Sequence, residues 1–299
     1  MKNLVDLLNA VRNGDFKSLA RTITIVENEL EGYEEILLSL KANSTTHVVG
    51  ITGPPGAGKS TLINSMLKIL VEKNKKVAIA AVDPTSPFNF GSLLGDRLRL
   101  SEFFNHPNIF IRSLASRGSS GGLSEKLIEV IDILKQGTFD YIFVETVGVG
   151  QSEVEIAGLA DTTLVVVVPE SGDDIQAMKS GIMEIADIFV VNKCDREGAE
   201  RLAMNLLNSG REKNGWKVPV VKTSAVNMEG IAELEKLIEK HSGSGVTNEK
   251  KIFLLAEKAF RLLQRERMKG ISKKEIQEVV KKNINEPNFN LYRFVKELV

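Results

Sequence analysis

Apolar residues recur along this chain with two different periods, and the change between them divides it into three parts. Over residues 1–44 the spacing is helical. Leu4, Leu7, Leu8 and Val11 make one stripe, Leu19, Ile23, Val26 and Leu30 a second, and Ile36, Leu37 and Leu40 a third, with Gly14-Asp15 separating the first two. Over 45–240, short apolar runs alternate with longer segments of helical period. The runs predict strands at 47–52, 77–83, 109–113, 141–146, 163–169, 188–192 and 218–224, and segments such as 123–134 and 231–238 predict the helices between them. Most runs are nearly unbroken Val and Ile, as in strands buried on both faces of a parallel sheet. The alternation predicts an α/β fold, doubly wound and mainly parallel, with helical extensions at both ends. Residues 241–248 (HSGSGVTN) read as a short flexible linker. Helical spacing returns over 249–299, with a stripe of Ile252, Leu255, Ala259 and Leu262 and a capping-box pattern at Ser272-Lys-Lys-Glu275. After Glu286-Pro287 comes a last amphipathic segment carrying Leu291, Phe294, Val295 and Leu298. The terminal helices are too small for a core of their own, so they are expected to pack on the main domain or on another subunit.

One loop in the alternating region carries specific chemistry. Gly53-Pro54-Pro55-Gly56-Ala57-Gly58-Lys59-Ser60 fits the spacing G-x-x-x-x-G-K-[ST] and lies between a predicted strand and a predicted helix. Glycines there let backbone N–H groups turn inward around phosphates, and the helix that follows adds its positive N-terminal end. Lys59 is placed to reach the β- and γ-phosphates and Ser60 to ligate Mg²⁺. Such a loop does not choose between ATP and GTP. Asn192-Lys193-Cys194-Asp195, after the apolar run 188–191, does. A carboxylate at Asp195 accepts bonds from guanine N1–H and its exocyclic amine, whereas adenine has no donor at N1 and leaves the carboxylate unpaired. Lys193 would lie along the base plane, and Thr223-Ser224-Ala225 would offer a backbone N–H to guanine O6. A plain turn after a strand is the competing reading, since Asn and Asp favour turns.

Two acids fall at predicted strand ends. Asp83 is placed to hold a water of the Mg²⁺ shell or to polarise the attacking water, and Glu145 occupies a Walker-B position, followed by Gly148 as a γ-phosphate sensor. Most GTPases carry Asp-x-x-Gly there, whereas this chain has Glu-x-x-Gly; either acid also reads as a strand-end cap. Residues 91–96 and 117–122 read as loops that close over the nucleotide, with Asp96, Arg97 and Arg99 as switch candidates, and 171–174 as a third moving loop or an ordinary N-cap. A Ras-type glutamine would directly follow the glycine; here that position is Val149 and Gln151 comes two later, so no hydrolytic base is legible. Slow intrinsic turnover, raised when a partner orders the loops, is the expectation.

Composition narrows the partners. The 299 residues hold 39 Lys+Arg and 39 Asp+Glu, which gives no broad attraction to nucleic acid, and no basic stripe is interleaved with aromatics. Cys194 is the only cysteine, so no intramolecular disulfide forms, as fits a reducing cytoplasm. The first twelve residues lack the continuous apolar core of a signal peptide, and no apolar run approaches the roughly 18 residues that span a bilayer. A cytoplasmic protein with no membrane and no nucleic-acid partner is expected.

Taken together, these motifs resemble the MeaB/ArgK group of P-loop GTPases, with the human MMAA protein as a relative, in the SIMIBI class. The match is carried by residues 18–27, 53–61, 82–87, 94–97, 111–118, 145–153, 181–187 and 192–195. The resemblance implies a GTP-hydrolysing chaperone that gates cofactor loading and protection of an adenosylcobalamin-dependent acyl-CoA mutase, usually methylmalonyl-CoA mutase. GTP or GDP and Mg²⁺ are the implied ligands. It assigns residues 53–61, including Thr61, to phosphate, Asp83, Asp96 and Glu145 with Ser60 to Mg²⁺ and hydrolysis, and Asn192 and Asp195 to guanine. The loop at 171–179 resembles a switch that responds to the mutase, which makes Lys179 a candidate. Members are usually homodimers with C-terminal helices as the dimer arm. Phe88-Asn89-Phe90-Gly91 departs from the usual small run, and Ser120 stands where Leu is common. Two other functions remain open. A nickel-delivery GTPase of the same class is disfavoured by one cysteine and three histidines far apart in sequence (His47, His106, His241). A nucleotide-dependent binding switch with incidental hydrolysis needs only the binding motifs.

Overall fold

The computed structural model describes residues 2–41, 45–83, 100–115, 126–146, 152–171, 182–244, 249–267, 273–284 and 289–298. Expectations placed on Pro84–Pro87, Phe88–Gly91, Asp96, Ser120, Gly148, Gln151, Lys179, Ser272 and Glu286-Pro287 lie outside the described residues, as does the side chain of Asp83. The described residues form two compact units, Met1–Ile252 and Phe253–Val299.

The first unit is built on a seven-stranded sheet. Its strands are β1 (His47–Thr52), β2 (Val77–Asp83), β3 (Ile109–Ala115), β4 (Tyr141–Glu145), β5 (Thr162–Val167), β6 (Ile188–Asn192) and, after the small antiparallel hairpin β7 (Glu212–Lys213) and β8 (Trp216–Lys217), β9 (Val220–Thr223). The order across the sheet is β3-β2-β4-β1-β5-β6-β9 and every neighbouring pair is parallel. The alternation of side chains along a strand sends successive residues to opposite faces. Leu164 and Val166 accordingly join one apolar cluster, with Val49, Ile51 and Phe143, while Val165 and Val167 join another, with Phe189 and Val191. Burial on both faces explains why the strands read as unbroken Val/Ile runs rather than alternating ones.

The first cluster is closed by α4 (Lys59–Glu72) and α9 (Ile231–Ser242), the second by α7 (Ile182–Ile185) and α8 (Ala199–Asn208). Two further helices, α5 (Leu127–Leu134) and α6 (Ser152–Leu159), complete the alternation. At the amino end, α1 (Lys2–Arg12), α2 (Phe16–Glu27) and α3 (Tyr33–Leu38) pack on one another, and α2 packs on α5. Asp15 caps α2 by accepting from the Ser18 N–H at 2.9 Å, and Phe16 stacks on Phe139 and meets the edge of Phe110. The Gln136 side chain both donates to the Lys41 carbonyl (2.8 Å) and accepts from the Lys41 N–H (3.0 Å), like one rung of a sheet, and fastens the segment leading into β1. Arg112 on β3 pairs with Glu27 at the end of α2.

Several boundaries differ from the sequence reading: the strand expected at 163–169 is Thr162–Val167, the one expected at 218–224 is Val220–Thr223, and the linker starts later than His241. The helix α9 continues to Ser242, so His241, expected in a linker, is 6% exposed. Its Nδ1 lies 2.7 Å from the Thr162 hydroxyl, and the Trp216 ring meets it edge-on, which is reason enough for the helix to continue. The second unit holds most of α10 (Glu249–Arg267), with α11 (Lys273–Asn283) and α12 (Leu291–Leu298). Its apolar residues Phe253, Phe260 and Leu263 are each more than half exposed. Among the described residues no helix is long and apolar enough to cross a membrane.

Candidate functional site

Because all seven strands run the same way, their carboxyl ends share one edge, and loops from five strands meet there. The first is the glycine loop between β1 and α4. Gly53 has φ +138°, and a Cβ on it would sit 2.0 Å from the Val166 carbonyl oxygen of β5, so only glycine lets the chain leave β1 here. Gly58 has φ +86° and a Cβ would fall 2.5 Å from Asn192 Nδ2. The loop therefore touches β5 and the residue that ends β6.

Lys59 opens α4 and is buried (7% exposed), with its Nζ donating to the carbonyls of Gly53 at 2.8 Å and Pro54 at 3.1 Å. A buried ammonium held over a glycine loop by its own carbonyls is a preformed cation for phosphate. Next to it the Ser60 hydroxyl donates to Glu145 Oε1 at 2.7 Å, and Glu145 is 6% exposed. Glu145 reaches this point because it ends β4 in register with Ile51 of β1. Thr146 then donates its hydroxyl to Thr52 at 3.0 Å, joining the two strand ends. Ser60 and Glu145, 85 residues apart in sequence, are brought together. A hydroxyl and a carboxylate side by side are hard oxygen donors of the kind Mg²⁺ takes.

The second half of the site lies at the ends of β6 and β9. Asn192 is 2% exposed and spans both halves. Its Nδ2 donates to the Ala57 carbonyl of the glycine loop at 2.8 Å, while its Oδ1 accepts from the Thr223 hydroxyl at 3.1 Å and the Ala225 N–H at 3.2 Å. Lys193 has φ +57°, an unusual backbone for a residue with a side chain, and the turn is tied back by the Cys194 N–H to the Thr223 carbonyl at 3.0 Å. Asp195 accepts from the Ser224 hydroxyl at 2.7 Å; that bond, its own backbone N–H and the neighbouring Arg196 and Lys193 charges hold its carboxyl below the usual range. Burial, with Glu229 and Asp195 nearby, pushes the Cys194 thiol up, so it stays a thiol. The turn Ser224–Glu229 is closed by a reciprocal backbone pair, 3.1 Å each way, and Asn227 donates to Ser224 Oγ at 3.0 Å.

Four side-chain contributions were not legible in the sequence. Ser65, two turns into α4, donates to the Ala225 carbonyl at 2.6 Å. Thr52 and Thr223 are buried partners of Thr146 and Asn192 whose roles depend on strand register. Arg196, beside Asp195, pairs with Glu170 in the short 3₁₀ turn Pro169–Ser171 after β5, and this pairing keeps the Glu170 carboxyl low. A Ser among helix-forming residues and an Arg after an NKxD motif carry no signal of their own.

A family model described as methylmalonyl-CoA mutase-associated GTPase MeaB matches residues 19–283. A putative GTPase of Pyrococcus horikoshii is 46% identical over 248 residues, covering 81% of this chain and 78% of that protein. The GTPase ArgK of Escherichia coli is 34% identical over 243 residues (77% and 73%), and the mitochondrial methylmalonic aciduria type A homolog of Mus musculus is 35% identical over 252 residues (76% and 60%). Among solved structures, one described as an LAO/AO transport system kinase superposes with a TM-score of 0.70 at 24% identity, covering 99% of this chain and 98% of that one. It shares the fold.

Proposed function

Because the chain belongs to the MeaB family of methylmalonyl-CoA mutase-associated GTPases, we propose that it is a GTP-hydrolysing chaperone of an adenosylcobalamin-dependent acyl-CoA mutase, probed first with methylmalonyl-CoA mutase. GTP hydrolysis itself is the activity of the family. The observation that carries the guanine assignment is Asn192, which ties the phosphate loop at Ala57 to the turn at Thr223 and Ala225.

In this reading residues 53–61 wrap the phosphates, and Lys59, already buried over the loop, faces the β- and γ-oxygens. Ser60 and Glu145 would hold Mg²⁺, with Asp83 and Asp96 as further candidates and Gly148 sensing the γ-phosphate. When bound, Mg²⁺ neutralises charge on the phosphate oxygens. Asp195, kept ionised by Ser224, accepts from guanine N1–H and the 2-amine, and Lys193 lies along the base. The Ala225 N–H, which Asn192 Oδ1 accepts at 3.2 Å, is the donor we assign to guanine O6, its one proton then shared between the two acceptors. Lys179, in the segment beyond Glu170, is the residue we assign to the response to the mutase. The C-terminal helices are assigned to a homodimer arm, and the protein to the cytoplasm.

The test is GTP turnover by the purified protein, alone and with methylmalonyl-CoA mutase, against Lys59→Ala as blank. Several-fold stimulation supports the chaperone reading. Intact GTP binding with no stimulation by that mutase or by other acyl-CoA mutases removes it and leaves the GTPase.

A further inference from the structure

We propose that Ser65 is a positioning residue for guanine recognition, acting through Ala225; this rests on the guanine-binding reading above. Ser65 lies in the middle of α4, is 3% exposed, and is absent from the motif residues. A serine in a helix ordinarily returns its hydroxyl proton to the carbonyl four residues back. That acceptor is present, the Thr61 carbonyl at 3.0 Å. The Ala225 carbonyl is closer, at 2.6 Å. A hydroxyl has one proton, so the shorter contact takes it and Thr61 keeps only a long one.

The consequence falls on both sides of the Ala225 Cα. Its N–H is held by Asn192 Oδ1 at 3.2 Å and its carbonyl by Ser65 at 2.6 Å. The other donor to that carbonyl, the Met228 N–H at 3.4 Å, is too long to hold it alone. With both neighbouring peptides anchored, neither φ nor ψ of Ala225 is free to turn the N–H away from the base. Ala225 is 5% exposed and Ser65 3%, so water does not replace the lost donor when the hydroxyl is removed.

Ser65 also fixes a distance. The helix that carries it begins at Lys59, so one rigid element holds the phosphate-binding residues in its first turn and the anchor of the base-reading turn about 9 Å along its axis. Asn192 makes the equivalent tie from β6 to the glycine loop. The two ties are independent, one through the loop and one through the helix.

The test measures equilibrium binding of GDP, 6-thio-GDP and ADP to the full chain and to Ser65→Ala and Ser65→Thr, with thermal melting as the check on folding. Sulfur is a poor acceptor, so 6-thio-GDP reports the O6 contact. Ser65→Ala is expected to raise the GDP Kd about tenfold, the worth of one hydrogen bond, and to narrow the ratio between GDP and 6-thio-GDP. Ser65→Thr keeps the hydroxyl and restores the ratio. In turnover the alanine variant raises KM for GTP more than it changes kcat. A GDP Kd within twofold of the parent overturns the proposal. So does equal weakening of GDP and 6-thio-GDP, which marks general loosening. A parent protein that binds ADP as tightly as GDP overturns the guanine reading beneath it instead.

Discussion

At the scale of single residues, recognition is assigned to Asp195 and chemistry to Glu145, and each has a substitution that tests the assignment. Asp195 is exposed, and Ser224 holds it as an acceptor for two donors. Asp195→Asn turns one of those acceptors into a donor that meets the guanine 2-amine donor to donor. GTP affinity is expected to fall by about 10²-fold or more, while XTP, with a carbonyl in place of the amine, gains. Competition binding with the two nucleotides checks this, and an unchanged GTP preference rules out Asp195 as the base reader. Glu145 is buried and takes the Ser60 hydroxyl at 2.7 Å. Glu145→Gln keeps an oxygen for that bond and removes the charge. Turnover is expected to fall by roughly 10²-fold with GTP still bound, as for loss of one preorganised electrostatic group. If the mutase response survives this variant intact, the protein works as a binding switch whose hydrolysis is incidental. The motif residues were readable because their chemistry demands fixed types at fixed spacing. Ser65, Thr52 and the hydroxyl role of Thr223 were not, because their partners are set by register between elements up to 160 residues apart.

At the scale of elements, the opposite edge of the sheet carries a polar cluster with no counterpart in the sequence reading. His47 at the start of β1 and His241 near the end of α9 both bond to the Thr162 hydroxyl that starts β5, at 2.8 and 2.7 Å. Two histidines far apart in sequence thus meet on one threonine. Thr162 has one proton to donate, so at most one imidazole accepts from it and at least one donates to it. Around them lie Asp187, whose Oδ1 is 3.8 Å from His241 Nε2 and which also pairs with Lys213, and Asp161, which pairs with Lys251. Burial pushes both histidine pKa values down and outweighs the raising effect of Asp161 on His47 and of Asp187 on His241. The sign follows. Above the ordinary histidine value of about 6.5 both states are neutral and the pair costs nothing; as pH falls below it, the unfolded chain binds protons that the folded chain does not, and stability declines. The melting temperature is expected to hold between about pH 8 and 7 and to drop between about pH 6.5 and 5. His241→Gln cannot take up that proton and is expected to flatten the drop; a variant with an undiminished slope assigns the pH dependence elsewhere. The strands were legible for the same reason this cluster was not. A run such as Leu164–Val167 declares its double burial by composition, whereas the meeting of a strand start with a helix end depends on how α9 packs.

At the scale of the whole molecule, the nucleotide site is assigned to one unit, and the described residues of the other expose large apolar side chains. Within Phe253–Val299, Phe253, Phe260 and Leu263 on α10 and Tyr292 on α12 are each more than half exposed. The amphipathic stripes of the C-terminal helices were readable from spacing, but a stripe does not say what covers it. Residues of this size left in water favour association, since a buried Phe or Leu side chain gains about 1.5–3 kcal/mol. The homodimer arm assigned above gives them a partner in a second copy. Phe260→Glu together with Leu263→Glu is expected to convert a dimer to a monomer in light scattering, because two charges on the seam cannot be buried unpaired. The same variant leaves every residue assigned to the site on the first unit unchanged, so its GDP affinity is expected to stay within about twofold of the parent if the two sets of residues act independently. Loss of GDP binding together with the dimer would mean that the partner copy completes the site. A parent protein that is monomeric from the outset removes the dimer and leaves this face for another protein.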